Sequence, residues 1–271
     1  MQKFVEQKFI GERAMFGAKD AEFERCGFAA GESPLKHGQN LRLKNCTFEW
    51  KYPLWYTKNV AVEGGFLMQM ARAGIWYAQD VSFKDTLIQA PKSFRRCQNV
   101  RLENVNLTQA EETLWSCVDV EIKNVCARGD YFAMNCENLR VYGLNLDGNY
   151  GFDGCKNLLV EDSKLLSKDA FWNCENVTVR NSFISGEYLA WNSKNVTFEN
   201  CVIESLQGLC YVQNLVLRSC QTLDTTLAFE YSSVDAEILG GIASVKNPLS
   251  GVIRAKEIGE IIMQKECVDP A

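Results

Sequence analysis

Apolar and polar positions alternate in a short motif that recurs along almost the whole chain. The motif is Asn or Asp, then an aliphatic residue, any residue, and a second aliphatic or aromatic residue. It begins at Asp20, Asn40, Asn59, Asp80, Asn99, Asp119, Asn138, Asn157, Asn176, Asn195 and Asn214. The intervals are 20, 19, 21, 19 and 20 residues, and then 19 throughout. A sustained period of this length predicts one structural unit stacked along a solenoid.

Within each repeat, the alternation has the period of a β-strand and not that of a helix. Two inward columns follow the Asn or Asp at the first and third positions, with mostly polar residues between them. Two further apolar columns lie eight residues after the Asn or Asp and five residues before the next one. These columns predict three short strands per repeat. The expected fold is all-β, a single-stranded right-handed parallel β-helix of about 12–13 coils of 19–21 residues.

The recurrent Asn is interpreted as a structural residue at a corner of each coil. Asn tolerates the left-handed backbone conformation that a tight corner requires, and its amide can hydrogen-bond to the amide one coil away. The motif also suggests the domain organisation. Residues 1–14 are expected to cap one end, 15–256 to form the β-helix, and 257–271 to cap the other end or form a tail.

The cysteines follow the repeat. Of twelve in the chain, five lie two residues before the Asn or Asp and four lie six residues after it. Thiols at one coil position stack on each other, and a free thiol behaves as a small buried apolar group. We therefore expect reduced structural cysteines. A metal site is not expected, because there is no Cys-x-x-Cys pair and His37 is the single histidine. No cofactor signature is present.

Charge argues against two classes of partner. The formal net charge is −5 and no basic run occurs, so neither nucleic acid nor an anionic membrane is expected as a partner. The first residues are too charged for a signal-peptide core, and no apolar stretch approaches membrane-spanning length, which predicts a cytoplasmic location. Four residues after each Asn or Asp, the charge alternates in sign from coil to coil, interrupted by Tyr142. This column is interpreted as a solvated ladder, which makes a poor groove for a polyanion.

Aromatic residues gather in another column, four residues before the Asn or Asp, which holds five of the six tryptophans. Large rings flanked by amides and hydroxyls suit a surface that stacks on sugar rings. The alternative is that the rings pack on one another and shield a corner of the coil. The candidate ligand-binding residues are Trp115, Trp172, Trp191, Tyr131, Tyr150, Tyr188, Asn173 and Asn192.

Three acidic residues on the same face are candidates for catalysis. Asp153, Asp169 and Glu187 lie in successive coils beside the tryptophans. Asp169 and Glu187 fall in nearly matching columns one coil apart, so their carboxyls are expected to approach to about 5–6 Å, near the separation used by retaining glycosidases. The alternative is that they are ordinary exposed acids without a chemical role.

The sequence also resembles a known family. Residues 174–203 read CENVTVRNSFISGEYLAWNSKNVTFENCVI, and residues 11–28 read GERAMFGAKDAEFERCGF. Both resemble a bacterial family of unknown function with pectin-lyase-like right-handed β-helices, and the similarity runs from about Phe9 to the end. The resemblance implies this fold and a carbohydrate-related role. The Asp clusters of the superfamily's galacturonases and the calcium and arginine sites of its lyases are not matched, so no catalytic residue is carried over.

Two functions remain open. One is a scaffold or binding protein that presents the aromatic face to a protein partner or a ligand, which predicts a flat patch without convergent carboxylates. The other is an intracellular protein that binds or modifies a glycan, which requires exposed tryptophans in a concave site. The missing export signal favours the scaffold, because long plant-type glycans lie outside the cell. Oligomeric state is not predicted.

Overall fold

The computed structural model describes residues 1–264, which form a parallel β-solenoid of about fourteen coils with very little helix. The predicted all-β parallel β-helix is therefore confirmed. One short 3-10 helix spans Gln69–Ala71. The strands in chain order are β1 (Gln2–Val5), β2 (Lys8–Phe9), β3 (Lys19–Glu24), β4 (Gly27–Phe28), β5 (Gln39–Lys44), β6 (Thr47–Phe48), β7 (Lys58–Glu63), β8 (Phe66–Leu67), β9 (Gln79–Lys84), β10 (Leu87–Ile88), β11 (Gln98–Glu103), β12 (Asn106–Leu107), β13 (Val118–Arg128), β14 (Glu137–Asp147), β15 (Lys156–Glu161), β16 (Lys164–Leu166), β17 (Glu175–Arg180), β18 (Phe183–Ser185), β19 (Lys194–Glu199), β20 (Val202–Leu206), β21 (Gln213–Thr226), β22 (Ser233–Ile238), β23 (Gly241–Lys246), β24 (Ser250–Arg254) and β25 (Glu257–Ile262).

Each coil pairs in register with the coils before and after it. Val177 of β17, for example, lies opposite Leu158 of β15 and Val196 of β19. The residues that the motif places inward are buried along the whole stack and form one continuous apolar core. Most coils have one strand at the Asn or Asp motif, which forms the first side, and a shorter strand a few residues later, which forms the second side. In β13, β14 and β21 these two strands are joined into one. The solenoid thus has two strand-bearing sides.

The third side is not a strand, which corrects the prediction of three strands per repeat. It is a series of turns, in which the described residues form the isolated bridges Trp76–Arg95, Arg95–Trp115 and Ala228–Val245. In one coil, Asp169, Phe171 and Asn173 have φ values of 57°, 63° and 53°. A single inward residue per coil cannot distinguish a strand from a series of turns, because a period requires at least two.

Bulky residues occupy the left-handed conformation at the inward position of this third side. Their φ values are 54–66° and their exposure is at most 1%. The left-handed conformation costs about 1–2 kcal/mol per residue, whereas full burial of such a side chain contributes about 1.5–3 kcal/mol. Burial therefore offsets the backbone strain at each of Leu35, Leu54, Ile75, Phe94, Leu114, Phe152, Phe171 and Leu209.

The Asn and Asp residues of the motif lie at a corner, as predicted, with φ between 49° and 61°. Eight of the Asn side chains donate from Nδ2 to the Oδ1 of the residue one coil before, at 2.7–3.0 Å. Aspartate stands only where a run of this ladder begins, at Asp20, Asp80 and Asp119. The reason is chemical, since a carboxylate accepts hydrogen bonds but donates none.

The stacked cysteines are buried, and they also satisfy the backbone of the third side. The Sγ atoms of Cys97, Cys136, Cys155 and Cys174 donate to a main-chain carbonyl of the preceding coil at 2.7–2.9 Å. Ser193 takes the same position and makes the same bond. Burial raises the pKa of Cys46 to about 11 and that of Cys210 to about 12, so these thiols stay protonated. Among the described cysteines, Cys126 alone is exposed.

Both ends of the described chain carry strands that pair with the solenoid. Within residues 1–14, β1 and β2 form a further coil that pairs in register with β3 and β4. This coil lacks the Asn motif, which is why the repeat count of 12–13 falls short of about fourteen. At the other end, β25 pairs with β23. The remainder of the predicted C-terminal tail, 265–271, lies outside the described residues.

The alternating charges lie opposite one another in the strand register, as in Glu63–Lys84 and Glu199–Arg218. Close ion pairs form at Lys84–Glu103 (3.2 Å) and on both sides of Arg180, with Glu161 at 3.7 Å and Glu199 at 2.6 Å. These groups are about half exposed, so each pair contributes at most about 1 kcal/mol.

We expect Cys136→Ser to preserve stability and Cys136→Ala to lower it. The Cys136 thiol accepts from the Cys117 N–H and donates to the Leu114 carbonyl, and a serine hydroxyl can make both bonds. Alanine would leave two buried backbone groups unpaired, which costs about 1–3 kcal/mol. Urea unfolding measures the difference, with exposed Cys126→Ala as the control. Equal stability of the Ser and Ala variants would contradict this role.

The amide ladder predicts different outcomes for an Asn→Asp substitution at one position and an Asp→Asn substitution at another. Asn157→Asp removes the donor to Asn138 Oδ1 and should lower the free energy of unfolding by about 1 kcal/mol. Asp119→Asn should cause no loss, because the new amide faces Asn99 Oδ1, to which no side chain donates within residues 1–264. Thermal unfolding of both variants tests the direction of the ladder, and equal destabilisation would refute it.

Candidate functional site

The aromatic side is the third side of the solenoid, where turns carry the tryptophan column from Trp55 to Trp191. All five of its tryptophans are half-buried. Four indole N–H groups donate to a main-chain carbonyl of the next coil, at 2.5–2.8 Å, from Trp55, Trp76, Trp115 and Trp172. These bonds fix the rings against the backbone, so the surface is preformed.

In the N-terminal half, the rings cover one another's faces. Trp55 and Trp76 stack at 5.0 Å, and the Arg95 guanidinium lies between Trp76 and Trp115 at 4.5 Å from each ring. A second stack runs alongside, in which His37, Tyr56 and Tyr77 are 5.1 and 4.9 Å apart. An arginine between two indoles gains cation–π attraction on both faces. Little ring face is left for a ligand.

Most of the predicted ligand-binding aromatics form a second cluster. Tyr131 and Tyr150 stack at 4.7 Å, Tyr150 meets Trp172 edge-on at 6.2 Å, and Trp172 lies 6.2 Å from Trp191. Tyr188 contacts Trp191 edge-on at 5.7 Å. The structure thus brings five of the predicted residues together. Trp115 belongs instead to the N-terminal stack and meets this cluster only through an edge contact with Tyr131 at 6.4 Å.

Three other predicted site residues form a short amide ladder. Asn192 donates to Asn173 at 2.9 Å, and Asn173 donates to Asp153 Oδ1 at 3.0 Å. Asp153 begins this run as Asp20 begins the main one. Its position is explained by the ladder, and no catalytic role is required for it.

Asp169 is the unusual residue of the cluster. It occupies the column position of Tyr150 and Tyr188 in the coil between them, so it interrupts the aromatic stack. It is 2% exposed, accepts a hydrogen bond from the Tyr150 hydroxyl, and keeps one oxygen, Oδ1, without a partner. Burial raises the pKa of this carboxyl. The negative charges of Glu187 and Asp153 act in the same direction, while Lys168 and the Tyr150 hydrogen bond oppose them.

Glu187, the other half of the predicted acid–base pair, is engaged at the surface. Its carboxylate lies 3.0 Å from Lys168 Nζ, which in turn lies over the Tyr188 ring. Asp169 and Glu187 do occupy neighbouring coils, where the Asp169 N–H donates to the Glu187 carbonyl. One carboxyl is therefore buried and the other ion-paired. In this conformation they do not form an open catalytic pair.

Two cations that the sequence alone did not single out lie within the aromatic side. Arg95 takes a tryptophan position in the column, and Lys36 lies over Trp55 and Tyr56 at 5.6 and 5.5 Å. The signal was present, since a cation one coil away from a tryptophan in the same column is placed over its ring. Arg95 also bonds to Glu112 at 3.0 Å.

Two negative findings apply to residues 1–264. No three His, Cys, Asp or Glu side chains come together as ligands for a metal ion. No helix in this part of the chain has the length and apolar character needed to cross a bilayer.

On the first strand-bearing side, a cavity of about 740 Å³ is lined mainly by polar residues, including Arg101, Glu121 and Arg140.

A family model matches residues 2–271. The chain belongs to the family of proteins of unknown function DUF3737. No curated protein matches this DUF3737 sequence. Among solved structures, it is similar to PfbA, a surface adhesin of Streptococcus pneumoniae, at 10% identity and a TM-score of 0.42 over 86% of this chain and 76% of that one. It is also similar to the Azotobacter vinelandii mannuronan C-5 epimerase AlgE4 A-module, at 8% identity and a TM-score of 0.29 over 97% and 87%. At these values, the likeness is restricted to the solenoid architecture.

Because the Asp169 carboxyl of this DUF3737 protein is buried, we expect Asp169→Asn to raise the free energy of unfolding, by an amount that depends on pH. Because the folded state raises the pKa of Asp169, the native protein holds this proton more firmly, and its stability falls as pH rises through that range. The amide variant should therefore be more stable than the parent at pH 7 and equal to it near pH 3. Chemical denaturation across this range measures the difference. Exposed Asp130→Asn is the control, and an equal gain there would contradict the assignment.

Proposed function

We propose that the protein is a non-enzymatic binding scaffold of the cytoplasm, whose aromatic side contacts a partner protein. One observation carries this proposal. The rings of the aromatic side cover one another's faces and are tied to the backbone through their indole N–H groups. What remains for a partner is a rigid surface of ring edges and amides.

The chemistry of this surface suits protein recognition. Tyr, Trp and Arg are the residues enriched at the centres of protein interfaces. Tyr56, Tyr77 and Tyr131 are 37–43% exposed, although their positions are already fixed by stacking. Ordering such side chains on binding costs little entropy, so more of the contact energy is retained.

The dimensions and charge of the aromatic side also favour a protein. From Tyr56 to Tyr211 it crosses eight coil steps, which is roughly 40 Å at about 4.8 Å per step. A standard protein interface buries about 800 Å² on each partner, an area that a strip of this length reaches at a width of about 20 Å. Cations such as Lys36 and Arg95 lie in its N-terminal half, and the acids Asp130 and Asp153 lie in the other half. We expect a partner with the reverse arrangement of charge.

Carbohydrate binding or modification is the second candidate. Asp169 favours it, because a carboxyl with a raised pKa and an unpartnered oxygen is a typical general acid. Three observations weigh against it. Asp169 is 2% exposed, Glu187 is paired with Lys168, and Asp153 accepts from Asn173.

Site-specific photo-crosslinking in producing cells tests the scaffold proposal. A photoreactive phenylalanine analogue replaces Tyr77 or Tyr131 on the aromatic side, or Tyr142 and Leu223 on other sides as matched exposed controls. We expect the same discrete protein adduct from both aromatic-side positions and none from the controls. Substituting Arg95 by Glu should weaken that adduct severalfold. Adducts of equal strength from all four positions would contradict a dedicated surface.

A glycan panel tests the second candidate on the same protein. Tryptophan fluorescence with quencher accessibility is recorded for the parent and for Trp172→Ala and Trp191→Ala. The scaffold proposal expects no saturable shift. A shift for one sugar class that is lost in both variants would favour the carbohydrate role, and loss of turnover in Asp169→Asn would then assign the acid.

A further inference from the structure

A second distinctive surface lies away from the aromatic side, at the corner that follows the short strands β4, β6 and β8. It borders an open cavity of about 760 Å³. Its walls are mainly apolar and include Trp50, Phe66, Met68 and Met70. A volume of this size, with apolar walls and few polar groups, is typical of sites for small organic ligands.

An irregularity in the repeat builds this cavity. The coil from Asn59 to Asp80 has 21 residues, the longest interval in the chain, and its 3-10 helix Gln69–Ala71 has no counterpart in the other described coils. This helix and the residue before it supply Met68 and Met70 to the wall. Insertions in single repeats of a solenoid often form its binding features. Trp50, facing them, is the one tryptophan outside the aromatic column.

The polar groups at the cavity indicate the charge of a ligand. Glu49 lines it and lies 3.9 Å from Lys8 Nζ, a long contact to a side chain that is 60% exposed. Lys51 lies over the Trp50 ring and pairs with Glu32 at 3.3 Å. The Glu49 carboxylate is therefore weakly compensated. The remaining polar walls, Gln69 and Gln89, carry no charge.

We propose that this corner cavity binds a small aromatic amine, with the ring against Trp50 and the two methionines and the ammonium group at Glu49. Thioether side chains adapt to the shape of a ring and make favourable contacts with its edge. An ammonium at Glu49 replaces the long contact to Lys8 with a charge-assisted hydrogen bond. A carboxylate on the same ring would meet Glu49 with like charge and is disfavoured.

Two probes that share the naphthalene ring system and carry opposite charges test the proposal on the full chain. Isothermal titration calorimetry is performed with 1-naphthylmethylamine and 1-naphthylacetate. We expect the amine to bind about tenfold more tightly than the acid, or more. Glu49→Gln should bring the two affinities within about twofold of each other, because the charge preference resides in one carboxylate.

Ala30→Phe tests the place of binding. Ala30 is exposed and lines the cavity, so the added ring occupies part of the binding space and should weaken binding of the amine about tenfold or more. Leu206→Phe, a ring at a 47% exposed position elsewhere, should leave binding unchanged. Circular dichroism and thermal unfolding confirm that each variant is folded. Equal affinity of the parent for both probes, no saturable binding of either, or full amine binding by a folded Ala30→Phe would each overturn the proposal. Trp172→Ala should not alter amine binding, which separates this cavity from the aromatic side.

Discussion

The coils of the solenoid stack in parallel and in register, and this arrangement determines what each side chain contacts. Each coil lies about 4.8 Å above the last, so every side chain contacts the residues of its own column in two neighbouring coils. A column is therefore stable only when its chemistry is compatible with itself. Amide donates to amide at the corner, thiol or hydroxyl bridges the backbone at the third side, ring stacks on ring, and acid faces base.

The third side shows how far this rule extends. Its backbone repeatedly adopts a conformation that bulky residues avoid, and it is maintained because eight of these strained bulky residues are fully buried. Thiols and hydroxyls then satisfy the carbonyls that the turns expose to the interior. The half-buried tryptophans complete this arrangement. Regular columns thus explain stability, and specific function is sought where a column departs from its rule, as at Asp169, Arg95 and the 21-residue coil.

Much of this architecture was predictable because in-register stacking gives the sequence a period equal to the length of one coil. The Asn corner, the inward strand columns and the buried cysteines follow from the period alone. The turns of the third side could not be predicted from the period, because one apolar residue per coil does not distinguish a strand from a turn. The position of a residue in the repeat also predicts its neighbours in the next coils but not its solvent exposure. It therefore placed Asp169 beside Glu187 but could not show that Asp169 is buried and that Glu187 is paired with Lys168.

The amide ladder has a direction, because each Asn donates towards the N-terminus and only an acceptor can begin a run. Between Asp119 and Asn214 the period is a constant 19 residues. Removing or duplicating one 19-residue coil inside this stretch keeps the amide ladder in phase but sets like charges opposite each other, as Glu161 and Glu199 would be without the coil of Arg180. Two coils together preserve both the amide ladder and the alternation of charge, so the length of the rod can change there in steps of two coils. The N-terminal half, with its 20- and 21-residue coils, has no interchangeable unit of this kind, and its shape is tied to its individual sequence.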